Sequence, residues 1–303
     1  MLPQLLLLAA THSSLEGTTI LVTAPPAYAT RLKRVLRSRG ASVVTCPTVQ
    51  TELLRRRDQR QLRRDLLREC DFVAFTSRRG IEAAVRACGP RLCRQFRRGD
   101  SIPIALGADA EALVARGVPR DCILVPRRST PAGIISMLRA TVPRRQRRAT
   151  TVLCPVPLVV DLSEPPVVPR FVYGLRRAGF DCARFPAYLT RWPGKSRSAR
   201  RSVRMLADGR VDAIALTSTA EAEGLLRYCD EYSIALPSNA DVPVVAHGRV
   251  TAGGARACGV RVAAFNRRPA SFAGLADAIE AVLRRRRNGE WILEMVEESW
   301  LLD

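Results

Sequence analysis

The chain is almost without lysine and histidine. Of 49 basic residues only Lys33 and Lys195 are lysines, and the histidines are His12 and His247 alone. Two histidines are too few for a His-rich metal centre. Selection for positive charge alone would not exclude lysine so completely, so the plainest reading of the arginine content is a bias toward GC-rich codons. Aromatic residues make up 5% of the chain. No basic cluster is interleaved with them, which leaves stacking on single-stranded nucleic acid poorly supported. Long apolar runs are missing too: Leu5 to Ala10 is too short to cross a bilayer, and no basic segment precedes it. That stretch also lacks the Arg- and Ser-rich character of a transit peptide.

What is present in excess is arginine. The formal net charge is +21, with clusters at Arg55 to Arg57, Arg63-Arg64, Arg144 to Arg148 and Arg284 to Arg287. Besides codon bias, such charge attracts an acidic substrate at long range or binds a phosphate backbone. The nine cysteines read as reduced thiols. Cys46, Cys70, Cys122, Cys154, Cys182 and Cys258 lie in or beside apolar segments, where cysteine packs as a small core residue. Cys88 and Cys93, close in sequence, lack metal-site spacing, and an odd count argues against a full disulfide set. No metal is expected.

Two stretches say nearly the same thing some 141 positions apart. Asp71 to Phe75 is an apolar run that ends in Thr76-Ser77 and passes into a helix-like segment; Asp212 to Leu216 ends in Thr217-Ser218 and does likewise. Each places hydroxyls and free helix N–H groups at the C-terminal end of a strand, where open α/β sheets bind ligands. The echo continues: Ile102 to Gly107 resembles Val242 to Gly248, and Ser129 to Ile134 resembles Ala270 to Leu275. Each half opens strand, helix, strand. Thr18–Thr23 leads through Leu32, Val35 and Leu36 to Gly40 and a second strand, Ala41–Cys46. Thr151–Cys154 leads, after a proline-rich loop from Pro155 to Pro169, to a helix from Phe171 and a strand up to Phe185. A repeat this long is a duplicated α/β domain rather than a solenoid. Alternating short strands and helices predict parallel sheets with helices on both faces.

These motifs, taken in order, resemble the uroporphyrinogen-III synthase family. The resemblance spans residues 18–284 and is carried by Phe75-Thr76-Ser77, Pro186 to Thr190, Leu216-Thr217-Ser218, and Gly248-Arg249-Val250-Thr251-Ala252 before Gly259. The insertion Glu164 to Pro169 is similar to the plant-type branch. The resemblance implies an α/β protein of two similar domains, each a parallel sheet flanked by helices, joined by a short two-stranded linker. Domain one would be residues 18–47 plus 190–285, and domain two residues 48–189, with crossings near Pro47 to Thr51 and Pro186 to Thr190. Residues 286–303 read as an amphipathic tail with apolar Trp291, Ile292, Met295, Val296, Trp300 and Leu301.

The activity implied is cyclisation of hydroxymethylbilane, an acidic linear tetrapyrrole, with inversion of its last ring through a spiro intermediate. No metal or organic cofactor is implied. The upstream hydroxymethylbilane synthase is an implied partner, the chain a monomer, and the compartment the plastid stroma or, alternatively, the cytoplasm. Tyr188 matches the family tyrosine that assists loss of the terminal hydroxyl, and its other reading is packing near a strand end. Thr76, Ser77, Thr217, Ser218, Thr219 and Thr251 would bind substrate carboxylates; as an ordinary alternative they cap the helices that follow them. His247 stands at a strand end and reads as a buried or solvated histidine before a ligand. Three departures from the family pattern bear on activity: Asp109 where a threonine is usual, Ala24 where an arginine is usual, and the proline-rich loop after Cys154. The rival function is a non-catalytic, basic relative of the fold that binds nucleic acid or a protein assembly.

Overall fold

The computed structural model describes residues 14–267 and 271–289. Leu5 to Ala10, His12 and the apolar residues of the C-terminal tail from Trp291 on lie outside them. Along the chain run β1 (Thr19–Val22), α1 (Pro26–Arg37), β2 (Ser42–Thr45), β3 (Gln50–Leu53), α2 (Arg56–Leu66), β4 (Phe72–Phe75), α3 (Arg78–Cys88), α4 (Pro90–Arg98), β5 (Ile102–Ala105), α5 (Glu111–Val114) and α6 (Pro131–Thr141). There follow β6 (Thr151–Val160), α7 (Val167–Arg177), β7 (Asp181–Arg191), α8 (Arg197–Ala207), β8 (Ala213–Leu216), α9 (Thr219–Glu231), β9 (Val244–Ala246), α10 (Arg249–Ala257), β10 (Ala264–Phe265) and α11 (Phe272–Arg287).

Two five-stranded sheets result. The first has the order β10-β9-β8-β1-β2 and is parallel throughout; the second has the order β3-β7-β6-β4-β5 and is parallel except for β3. The interior strands β4 and β8 are buried along their whole length, as expected of parallel strands covered on both faces. Leu62, Ile81, Leu92, Phe96 and Leu113 from α2 to α5 cover one face of the second sheet, and Ile134, Leu138, Phe171 and Leu175 from α6 and α7 the other. In the first sheet Val203, Leu206, Leu225 and Ala252 from α8 to α10 oppose Leu32, Leu36, Leu275 and Ile279 from α1 and α11.

The duplication is visible in single hydrogen bonds. Asp212 accepts the Thr19 N–H at 2.7 Å, and Asp71 accepts the Thr151 N–H at the same distance, so each aspartate pins the start of the neighbouring strand. Thr130 caps α6 by accepting the Gly133 N–H, and Ser271 caps α11 by accepting the Gly274 N–H. Both glycines are there for space: a Cβ on Gly133 would lie 2.0 Å from the Arg128 carbonyl oxygen, and one on Gly274 would lie 2.4 Å from Asn266 Oδ1.

One expectation shifts. The first strand of the second half does not stop at Cys154; β6 continues through Pro155 and Pro157 to Val160, paired along its length with β7. The prolines are tolerated because β4 pairs only with Val152 and Leu153, which leaves the rest of β6 open on that side, where a missing N–H costs nothing. Pro186 to Thr190 lies inside β7, and β3 pairs antiparallel with the end of that strand from Gln50↔Arg191 to Leu53↔Tyr188. The returning chain therefore leaves the second sheet after Arg191. Among the described residues no helix is long and apolar enough to cross a membrane.

Candidate active site

The two sheets face each other across a cleft of about 1020 Å³, at the upper end of ordinary ligand pockets. The C-terminal ends of β4 and β8 open into it, and Thr76, Ser77, Tyr188, Thr217, Ser218, Thr219 and Thr251 all line it, together with Tyr28, Arg31, Arg78, Arg79, Glu221 and His247. The seven residues singled out from the sequence are thus brought together, four from the sheet-one half and three from the sheet-two half.

Tyr188 is buried, and its hydroxyl lies 3.1 Å from Ser77 Oγ. Burial pushes its pKa above 10, an effect that the Ser77 hydrogen bond and the Arg79 charge only partly offset, so the phenol keeps its proton at neutral pH. Ser77 is the N-cap of α3 and accepts the Gly80 N–H at 3.1 Å. Capping and cleft contact therefore coincide in one hydroxyl. Thr76 is half-buried and its hydroxyl has no hydrogen-bond partner among the described residues. Arg78 and Arg79 both reach Glu82, at 3.4 and 3.3 Å, and Arg79 Nε is buried without a partner among the described residues. Burial raises the pKa of Asp109, while the charge and backbone N–H of Arg78 and the charge of Arg31 lower it.

The other half is arranged differently. Ser218 occupies the N-cap of α9 but its side chain caps nothing; it donates to Glu221 Oε1 at 3.1 Å. The Thr217 hydroxyl donates to the same oxygen, and the Thr217 N–H donates to Oε2 at 2.8 Å. Thr23 Oγ1 lies 2.8 Å from Oε2 as well. Glu221 is wholly buried, and burial pushes its carboxyl above the usual range against the pull of these hydrogen bonds. Sequence reasoning passed over Glu221, although Ser218-x-x-Glu221 is the spacing of a capping box. It passed over Tyr28 and Arg31 too, which sit on the first turns of α1 just beyond β1, the same place that made the Thr-Ser pairs conspicuous.

Thr251 is in the first turn of α10 and makes no cap; its hydroxyl points at the Thr217 carbonyl oxygen at 3.5 Å. Thr219 packs against α10, where a Cβ on Gly254 would lie 2.1 Å from its hydroxyl. His247 Nδ1 is buried without a partner among the described residues, and burial pushes the ring's pKa below 6.5, so the imidazole is neutral near pH 7. Ala24 is fully buried and contributes no charge. All nine cysteines are free thiols; burial raises Cys46 and Cys88 to about 12. The pair that meets in space is one the spacing did not suggest, Cys154 and Cys182 on adjacent strands, with sulfurs 3.6 Å apart. No group of three or more metal-ligating side chains occurs among the described residues.

Two mostly parallel α/β sheets with a cleft at the C-terminal ends of their strands, lined by threonine, serine and a buried tyrosine, define a two-lobed α/β protein. The HEM4 family profile, uroporphyrinogen-III synthase HemD, matches residues 30–276, so the chain belongs to the uroporphyrinogen-III synthase family, enzymes of tetrapyrrole biosynthesis. A solved structure agrees on the fold. It is a mutant uroporphyrinogen III synthase from Thermus thermophilus, 19% identical, with 88% of this chain and 99% of that chain covered and a TM-score of 0.57. The Helicobacter pylori uroporphyrinogen-III synthetase is matched as well, 12% identical over 85% of this chain and 96% of that chain, with a TM-score of 0.48. No curated protein matches the chain.

Proposed function

We propose that the protein cyclises hydroxymethylbilane to uroporphyrinogen III, inverting the last ring through a spiro intermediate. The observation that carries this is the protonated, buried Tyr188 hydroxyl held against Ser77 inside the cleft between the two sheets. The reaction needs a leaving hydroxyl to be met by a hydrogen-bond donor and a flexible chain to be held folded while the carbon–carbon bond forms. Tyr188 supplies the donor, since its raised pKa keeps the hydrogen in place. Orientation comes from closing both halves over one ligand, which converts the search for the ring-closing geometry into a bound state. The cationic intermediate left after the hydroxyl departs is favoured by a cleft whose floor offers oxygen atoms from Thr76, Ser77, Thr217 and Ser218. Arg31, Arg78 and Arg79 supply positive charge for the substrate's carboxylates.

On this reading the substrate comes from hydroxymethylbilane synthase, the chain acts as a monomer, and the plant-type insertion from Glu164 to Pro169 points to the plastid stroma. A coupled assay with hydroxymethylbilane synthase tests the activity by separating isomer III from the isomer I that forms spontaneously. Mainly isomer III is expected. Product no richer in isomer III than the enzyme-free control would assign the fold to a non-catalytic basic relative instead.

A further inference from the structure

The two Thr-Ser pairs are equivalent in sequence and unlike in hydrogen bonding. The counterpart of Gly80 after Thr76-Ser77 is Glu221 after Thr217-Ser218. A hydroxyl carries one hydrogen. At the start of α9 the hydrogens of Thr217 and Ser218 both go to Glu221 Oε1, and the Thr217 N–H goes to Oε2. What those two hydroxyls can still offer the cleft is oxygen lone pairs. This holds for the ionised carboxyl and also for one protonated on Oε2, because Oε2 faces Thr23 Oγ1 at 2.8 Å and the Thr23 hydrogen has a second acceptor in the Ala215 carbonyl oxygen at 3.0 Å. A proton on Oε2 is therefore accommodated without releasing Thr217 or Ser218. At the start of α3 the situation is reversed: Thr76 keeps its hydrogen, and Arg78 and Arg79 stand in the first turn of that helix, whereas the first turn of α9 holds Glu221 and no base.

We infer that Glu221 is a positioning residue that fixes the polarity of one end of the cleft, so that Thr217 and Ser218 accept hydrogen bonds from the ligand's pyrrole N–H groups and its carboxylates are taken at Thr76, Arg78 and Arg79. This rests on the tetrapyrrole reading of the same site and adds the direction in which the ligand lies across it. A flexible bilane with acid side chains and N–H groups along one backbone then finds one end of the cleft that takes acids and one that takes donors, and is seated in a single orientation.

Glu221→Gln reverses the polarity at constant shape. The amide oxygen takes the Oε2 place, where it must accept the Thr217 N–H, and the NH2 group then faces Thr217 Oγ1 and Ser218 Oγ and donates to both. Their hydrogens are released into the cleft. The probe is uroporphyrin III, the stable oxidised octacarboxylate form of the proposed product, followed by its fluorescence. Glu221→Gln is expected to bind it about tenfold or more tightly than the unaltered protein, on the scale of a hydrogen bond to a charged group, while kcat falls because the ligand is seated wrongly. A cap that served stability alone would leave affinity unchanged or weaker, and either result overturns the inference, as does absence of binding to both proteins. The unaltered Glu221 offers a second test that does not depend on that variant folding: Thr76→Val should weaken uroporphyrin III binding about tenfold and Thr217→Val less than about threefold, and the reverse ranking overturns the assignment. Tighter binding without isomer III formation would retain Glu221's role and remove the cyclase reading; isomer III formation with unaltered affinity would remove this inference alone.

Discussion

At the scale of single residues, the cleft depends on two buried acids of opposite use. Tyr188 must give up a share of its hydrogen, and Tyr188→Phe removes only that hydroxyl; turnover is expected to fall about tenfold or more with thermal stability within about 1 kcal/mol of the parent, since one hydrogen bond to Ser77 is lost. Turnover equal to the parent's would give Tyr188 a packing role. Glu221 holds its proton more tightly in the folded than in the unfolded chain, because burial raises its pKa. From about 4.5 upward to the folded value the native state therefore binds more protons, and unfolding free energy falls as pH rises through that window, levelling off above it. Glu221→Gln cannot titrate, so the difference between the two stability curves should carry that downward slope while contributions from Asp109 and other groups cancel. An upward slope would mean that its hydrogen bonds outweigh burial.

Between elements, the sequence was most informative where one residue type has one use. The Thr-Ser pairs were legible because a hydroxyl pair after an apolar run has few places to be other than a strand end. The parallel sheets followed from the continuous apolar character of Phe72 to Phe75 and Ala213 to Leu216. The path of β6 was not legible: Pro155 and Pro157 read as loop, and only the open edge left by the short pairing with β4 makes them harmless there. Glu221 was not legible as a site residue either, because the capping-box spacing says that a glutamate reaches back but not that it takes hydroxyl hydrogens away from the cleft. The glycines of the helix starts, Gly133 and Gly274, match between the halves, and the structure gives the reason. At Gly133 an added methyl would meet the backbone of Arg128, which cannot rotate away. Gly133→Ala is expected to cost about 2 kcal/mol from overpacking, against about 1 kcal/mol for Thr130→Ala, which loses the cap alone. Chemical denaturation of both variants checks the order; a Gly133→Ala protein as stable as the parent would show that α6 can shift away from Arg128.

For the whole molecule, the question is what keeps two halves over one ligand. The arginine clusters do not: Arg55 to Arg57, Arg63, Arg64, Arg144, Arg145, Arg148 and Arg284 to Arg287 are exposed on outer helices and loops, away from the cleft that Arg31, Arg78 and Arg79 line. Two features do join the halves. Near the crossing, α9 sits tightly on the chain leaving β2: Thr48 Oγ1 donates to the Glu221 carbonyl oxygen at 2.9 Å, and a Cβ on Gly224 would lie 2.2 Å from the Thr48 carbonyl oxygen. Further along α9, Glu223 accepts the Ser163 N–H at 2.9 Å and its hydroxyl at 3.1 Å, and Arg227 donates to the Asp161 carbonyl oxygen at 2.6 Å. Asp161 and Ser163 belong to the segment between β6 and α7, so these contacts tie that segment across to the sheet-one half. They are exposed and individually weak, each worth less than about 1 kcal/mol, and neither belongs to a core. Replacing Glu223 and Arg227 together by alanine should therefore leave thermal stability within about 2 kcal/mol of the parent while the halves separate. The expected readings are a larger radius of gyration in small-angle scattering of the ligand-free protein and a KM raised about three- to tenfold, with kcat nearly intact once substrate has closed the cleft. Unchanged scattering and KM would mean that the crossing at Thr48 and the β3–β7 pair hold the halves together by themselves.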